Sequence, residues 1–534
     1  MAGFASQGSP VATTGLTQGI HRSVQLRPEA RALVAQGTQR SWREFAERVA
    51  RLAGGLSELR IQPGDRVAML GLNGPAYVEY YFAVLWAGGV IAPVNVRWSL
   101  EEKAHCLADS GALLLLADGV HLDEALTLAQ GSSSLRALVG IAAADEVLPG
   151  EVMPYEELIA QSPVLPDARR GGQDLAALFY TGGTTGRAKG VMLSHDNFLA
   201  NSMTALVNLG IREDTVHLHT APLFHLAGGS RLFTITVAGG THAVIPRFEP
   251  EAFLHAIEAF GVNVTVVVPS MLNALLNLDG FDDYDLSSLK LLSYGASPMP
   301  ERLLREAMER LPHVDFLQSY GMTELSPVAT MLEPKYHVFE GPHAGKITSA
   351  GRAVFNADVA IQDPAGQELP LGDVGEICVR GPMVMQGYWG QPELTAEALR
   401  GGWMHTGDAG YMDGDGFIFL VDRLKDMIVT GGENVYSAAV EHVLYQYPAI
   451  HECAVIGIPS DQWGEAVHAI LVPKPSMQLD AAEVLAHCRK HLAGYECPKT
   501  IEVRASELPK SGPGKILKAE LRKAYWEGHE RRIN

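Results

Sequence analysis

The chain has 534 residues, 47% hydrophobic and 19% charged; at roughly 100–200 residues per domain this implies more than one core and excludes disorder, collagen and a disulfide scaffold. Its 42 Lys and Arg against 61 Asp and Glu leave a net charge of −19, a field that repels a phosphodiester backbone and argues against nucleic acid as a partner. Five cysteines, Cys106, Cys378, Cys453, Cys488 and Cys497, lack paired metal-ligand spacing and suit a reducing compartment.

Residues 1–20 lack the basic and apolar segments of an export signal, and the final Arg-Arg-Ile-Asn is not a peroxisomal address. The longest apolar run, 83–94, is broken by Gly88 and Gly89 and falls short of the ~20 residues that span a bilayer. A soluble, cytoplasmic protein without an integral membrane segment is expected. From 41 to 56, Ser41 and Glu44 have capping-box spacing and Phe45, Val49, Leu52 and Leu56 recur every three or four residues, predicting an amphipathic helix. A Pro63-Gly64-Asp65 turn leads to a strand at 67–70, and the same order recurs to about residue 300, as at 255–260 into 264–268. The alternation predicts layered α/β structure with parallel sheet.

The most informative stretch is an apolar strand over 175–180, then Thr181-Gly182-Gly183-Thr184-Thr185-Gly186-Arg187-Ala188-Lys189-Gly190 and a second apolar segment. Glycines let successive N–H groups converge, threonine hydroxyls add donors and Lys189 adds a full charge, a combination suited to phosphate. It is not a Walker A loop, because Lys189 precedes Gly190 and Val191 rather than Ser or Thr opening a helix. A helix is predicted afterwards with Asp196 as N-cap and Leu199, Met203 and Leu206 on one face. Over 340–420 short strands punctuated by glycine, at 375–381 and 414–420, predict a small β-rich subdomain. After residue 425 a helix, strands at 453–458 and 467–472, a helix from about 481, a strand at 501–504 and a helix from about 516 predict a separate α+β domain.

The phosphate loop resembles that of the adenylate-forming superfamily, which includes acyl-CoA synthetases, aryl-CoA ligases, peptide-synthetase adenylation domains and firefly luciferase; Gly182 replaces its serine and Ala188 its proline. Further segments follow in the family's order: 222–228 (PLFHLAG), 294–298 (YGASP), 318–324 (QSYGMTE), 403–408 (WMHTGD), 422–426 (DRLKD), 431–435 (GGENV) and 508–515 (LPKSGPGK). The resemblance implies an N-terminal adenylation domain, 1–421, of layered α/β subdomains with a small β-barrel-like subdomain, and a mobile α+β domain, 422–534. It implies an ATP-dependent acid–CoA ligase that forms an acyl-adenylate and then a thioester from a fatty or aryl carboxylic acid, with ATP, Mg²⁺ and coenzyme A.

By the same resemblance Thr184, Thr185 and Lys189, with Thr181, Gly182, Gly183 and Gly186, cradle the β- and γ-phosphates. Thr323 and Glu324 contact phosphate and Mg²⁺, a hard cation that prefers oxygen. Tyr320 and Gly295-Ala296-Ser297, beside Gln318 and Ser319, take the adenine; Asp408 takes the ribose hydroxyls, with Arg423 nearby. Lys515 reaches carboxylate and α-phosphate during adenylation, the hinge is at Lys425, and Gly431-Gly432 approaches the adenylate in a second orientation. His225 lines the carboxylate site as a gate, acting by shape. A carrier-protein-loading enzyme is the nearest rival, a luciferase-like oxygenase or a catalytically silent nucleotide-binding regulator more remote ones. Which acid is taken is not legible in the sequence, and a homodimer rests only on the frequency of dimers among enzymes.

Overall fold

The computed structural model describes residues 14–142, 148–181, 187–297, 299–431, 433–460, 462–475, 477–510 and 516–527. Helix signals materialise as the chemistry requires. Trp42–Glu58 opens on Ser41, whose side chain accepts from the Glu44 amide while Glu44 reaches back to the Ser41 amide. The helix after the phosphate hairpin, His195–Asn208, is capped by Ser194 in a capping box with Asn197. The expected cap, Asp196, stands in the first turn instead: Ser194 precedes it with a partner three residues on, satisfying two amides where Asp196 would satisfy one.

Two large sheets pack with helices between and outside them. One runs, in spatial order, Gly387–Tyr388, Lys189–Ser194, Leu175–Thr181, Val90–Pro93, Arg66–Leu70, Leu114–Asp118, Ala137–Ile141 and Val152–Pro154, parallel from Leu175–Thr181 onward. The other runs Arg352–Ala353, Val328–Leu332, Asp315–Gly321, Leu291–Gly295, Val264–Val267, Val216–His219, Thr241–Val244, Arg31–Ala35 and Thr38–Ser41. Side chains alternate across each strand, so Leu218, Val267, Leu292 and Phe316 join one core with the outer helices Pro250–Phe260 and Glu301–Arg310. Val264, Leu291 and Leu317 face a second core shared with Pro75–Trp86 and Leu226–Ala238.

The β-rich subdomain is an open four-stranded antiparallel sheet, Asp358–Gln362, Gly375–Arg380, Met404–Met412 and Ile418–Arg423. Its last strand carries the chain across residue 422, the expected domain boundary. Beyond it Ile450–Ser460 and Gly464–Pro473 pair antiparallel, and helices Ser437–Tyr445 and Ala481–His491 cover one face. Lys518–Trp526, starting two residues later than expected, covers the other. Among the described residues no helix is long and apolar enough to cross a membrane.

Candidate active site

The segment expected to hold phosphate is a β-hairpin: Leu175–Thr181 and Lys189–Ser194 pair antiparallel, with Thr181 opposite Lys189 at the mouth of the turn. The expected binders Gly182, Gly183, Thr184, Thr185 and Gly186 lie outside the described residues, as do Gly432 and Lys515.

Lys189 aims its ammonium over the ring of Tyr388, 5.4 Å from the centroid. Partial burial pulls its pKa down, nearby Lys425 adds to the depression, and Glu324 opposes it. Glu324 lies on the short Thr323–Leu325 turn and is buried. Burial holds its carboxyl above the usual carboxylate range, against the pull of a hydrogen bond from Tyr388 and the charges of Arg423 and Lys189. Tyr388 Oη donates to Glu324 Oε1 at 2.8 Å. Two cations and a buried carboxylate therefore share one polar spot. Tyr388 was not legible beforehand: it arrives through the pairing of Tyr388 with Val191 on the phosphate hairpin, a contact between segments about 200 residues apart.

Asp408 forms the second cluster. It lies opposite Arg423 in the ladder of the small sheet, its Oδ1 is 2.9 Å from Arg423 Nε, and its Oδ2 accepts from Tyr320 Oη at 2.9 Å. The loop before it is braced: Thr406 Oγ1 donates to Ile377 O at 2.7 Å and accepts from Asp408 N at 3.1 Å. Tyr320 is nearly buried, so its hydroxyl fixes Asp408.

Gly295 pairs with Ser319, and Gln318 with Tyr294, on adjacent parallel strands. A Cβ at Gly295 would fall 2.4 Å from Ser319 O, and one at Gly321 only 1.8 Å from Pro327 O. Likewise Gly228 and Gly229 would meet Pro222 O at 2.5 Å and Tyr81 Oη at 2.3 Å. These glycines serve close backbone packing rather than opening pocket volume. Ala296 holds a left-handed φ of 67° at the end of its strand, followed by half-buried Ser297.

His225 is the N-cap of Leu226–Ala238. Its Nε2 is buried without a partner among the described residues, and burial, with Arg97 nearby, lowers its pKa to about 4, so it is a neutral imidazole near neutral pH. Next to it, a cavity of about 460 Å³ is lined by Asn73, Arg97, Thr220, Phe224, Ser270 and Met271, among others. Lys425 follows the small sheet directly; its carbonyl accepts from Arg522 Nη1 at 3.2 Å. Gly431 takes a left-handed φ of 61° on the turn between Ile428–Thr430 and Glu433–Val435, and its amide donates to Trp463 O at 2.8 Å. The arrangement thus unites Thr181, Lys189, Thr323 and Glu324 in one group and Tyr320, Asp408 and Arg423 in another, while Gly431 packs within its own small domain.

Residues 20–389 match the family model of the AMP-binding enzyme and 439–515 that of the AMP-binding enzyme C-terminal domain. A feruloyl-CoA synthase from an Amycolatopsis species is 43% identical over 505 residues, covering 94% of this chain and 98% of that protein. A fatty acid–[acyl-carrier-protein] ligase from Streptomyces coeruleorubidus is 34% identical, covering 97% and 98%. The structure of o-succinylbenzoate CoA synthetase from Bacillus subtilis in complex with its acyl-adenylate intermediate superposes with a TM-score of 0.83 at 30% identity, covering 95% and 98%. Matched in both of its parts, the chain belongs to the AMP-binding enzyme family and is an ATP-dependent acid–CoA ligase that works through an acyl-adenylate.

Proposed function

We propose that the acid is aromatic, of the phenylpropenoate type, and that the two residue clusters act on one bound ATP. What carries the aromatic reading is the 43% identity to feruloyl-CoA synthase over nearly the full length of both chains, against 34% for the fatty-acid relative. In the first half-reaction a carboxylate oxygen attacks the α-phosphorus, the bond to the bridging oxygen breaks and pyrophosphate leaves. Two anions must meet, so fixed positive charge is the main requirement. Thr181, Gly182, Gly183, Thr184, Thr185 and Gly186 hold the outer phosphates with Lys189, whose ammonium faces Glu324.

Tyr320 and Arg423 hold both oxygens of Asp408, so a carboxylate already fixed in place receives the ribose hydroxyls. Gly295, Ala296, Ser297, Gln318 and Ser319 flank the adenine. Glu324, a buried carboxylate whose Oε1 is already engaged by Tyr388, is a hard oxygen donor of the kind Mg²⁺ takes. Bound there with the phosphates, the ion would neutralise charge on the departing pyrophosphate.

Lys515 neutralises carboxylate and α-phosphate, then withdraws as the 422–534 domain turns about Lys425; Gly431 and Gly432 then border the thiol path. In the second half-reaction the thiol sulfur attacks the acyl carbon, the bond to AMP breaks and the thiol proton is lost. The cavity beside His225, with Arg97 and Arg247 on its wall, offers the anionic coenzyme a cationic approach. His225 acts there by shape, since an imidazole with a pKa of about 4 is a poor proton acceptor near neutrality. Five buried free cysteines among the described residues support a reducing, cytoplasmic setting; the homodimer is tested by light scattering.

The test is a panel of acids from acetate through long-chain and phenylpropenoic acids with CoA, followed by AMP release. Preferred turnover of phenylpropenoates supports the reading; preferred turnover of alkanoates overturns it. The carrier-protein ligase relative favours a second acceptor, and a holo carrier protein offered beside free CoA separates the two.

A further inference from the structure

Three of the buried side-chain atoms that find no hydrogen-bond partner among the described residues sit on two rings whose centroids are 4.7 Å apart, Nδ1 and Nε2 of His217 and Nδ1 of His219; Nε2 of His225 and Oγ of Ser319 are two more, on the same side of the sheet. Sheet register explains why. His217 is level with Val264, Val264 with Leu291, and Gly295 with Ser319. Given strict alternation along each strand, His217, His219, Gly295 and Ser319 share one face of the large sheet. Over that face lies Leu226–Ala238, the helix that starts from His225.

Arg231 of this helix is 6% exposed. Burial lowers its pKa, to about 10, with no hydrogen bond or carboxylate among the described residues offsetting it, and its charge is felt at both His217 and His219. Side chains lean toward the N-terminus of their helix, which sends the guanidinium toward the end occupied by His225. His219 keeps its other nitrogen on His242, at 3.0 Å. A buried guanidinium with no counter-charge among the described residues, beside imidazoles that burial holds neutral, is costly to maintain unless something that accepts hydrogen bonds enters. The site also lies at the carboxyl end of parallel strands, where ligands of open α/β sheets bind.

Resting on the acid-ligase reading above, we infer that Arg231, His217 and His219 form the far wall of the acid pocket and select acids whose distal end carries a hydrogen-bond-accepting oxygen, phenolic, ether or carboxylate. A plain hydrocarbon tail would leave the guanidinium and imidazoles unpaired, which is how a site built for a polar group rejects its apolar analogue.

The experiment measures kcat/KM in the full reaction for matched acids: cinnamate, 4-hydroxycinnamate and 4-carboxycinnamate, and decanoate beside ω-hydroxydecanoate and decanedioate. Within whichever series is turned over, the oxygenated acid is expected to exceed its unsubstituted partner by about 100-fold or more. The hydroxy and carboxy arms say which oxygen is read. Arg231→Leu should collapse that ratio to within about fivefold by lowering the oxygenated acid alone, and Arg231→Lys should restore part of it. Unchanged thermal stabilisation by ATP shows that each variant is folded. Equal rates for oxygenated and plain acids in wild type, or a ratio unmoved in Arg231→Leu, overturn the inference. Turnover of alkanoates only, with the oxygen preference kept, overturns the aromatic reading and leaves this one standing.

Discussion

Tyr388→Phe isolates the hydrogen bond that favours the ionised form of Glu324. The ring stays under the Lys189 ammonium and the only loss is the 2.8 Å bond from Tyr388 Oη to Glu324 Oε1. A bond donated to a carboxylate is worth about 1.5–3 kcal/mol, and Glu324 is fully buried, so solvent does not discount it. At 1.36 kcal/mol per unit, the carboxyl pKa rises by about one to two units. Burial already places it above the ordinary value of 4.5, so the displacement carries the acid limb of kcat/KM for MgATP upward into the working range. ATP–pyrophosphate exchange followed from about pH 5 to about pH 9 should show that limb moved up by this amount and the alkaline limb unmoved. An acid limb left in place would refute the idea that Glu324 must be charged to handle nucleotide. The sign for folding is opposite. A carboxyl raised by burial stabilises the fold fully below its unfolded pKa and loses that contribution as pH rises through its folded value, so Glu324→Gln should melt higher than wild type near neutral pH while losing exchange activity.

Asp408→Asn keeps the size of the side chain but breaks the ion pair with Arg423, and should raise KM for ATP by roughly 10- to 100-fold, equivalent to about 1.4–2.8 kcal/mol, with the melting temperature nearly unchanged; steady-state kinetics beside thermal denaturation check both. His225→Phe should leave the pH profile of kcat unshifted, because an imidazole with a pKa of about 4 does not titrate in the working range; a profile that loses an inflection near neutrality would show His225 acting as a base. Glu79 is fully buried, accepting from Arg48 Nε at 2.7 Å and from Tyr155 Oη at 2.7 Å. Glu79→Ala takes the acceptor from Tyr155 Oη and from Arg48 Nε, while Arg48 keeps Glu156, and denaturant titration should report a loss of about 1–3 kcal/mol.

Much of this was readable in the sequence because its signals are local. Ser41 and Glu44 announce a capping box within four residues, and the hairpin strands flanking the phosphate loop show as two apolar runs. Asp408 and Arg423 were visible as separate motifs, though that they pair in a ladder depends on the turn between their strands. What local spacing could not supply are contacts made by sheet order. Tyr388 meets Glu324 because its strand joins the edge of the hairpin, and the imidazoles of His217 and His219 meet Arg231 because a helix crosses their strand. The tight approaches at Gly229 and Gly295 are likewise set from a distance, by Tyr81 Oη and Ser319 O of other segments.

The most direct test of the central claim follows oxygen. With the preferred acid labelled by ¹⁸O in its carboxylate, a turnover with ATP and CoA should place one labelled oxygen in the phosphate of AMP, because the carboxylate oxygen that attacks the α-phosphorus stays there when the thiol takes the acyl group. Label absent from AMP, or found in inorganic phosphate alongside ADP, would contradict an acyl-adenylate formed between the Lys189 hairpin and Asp408.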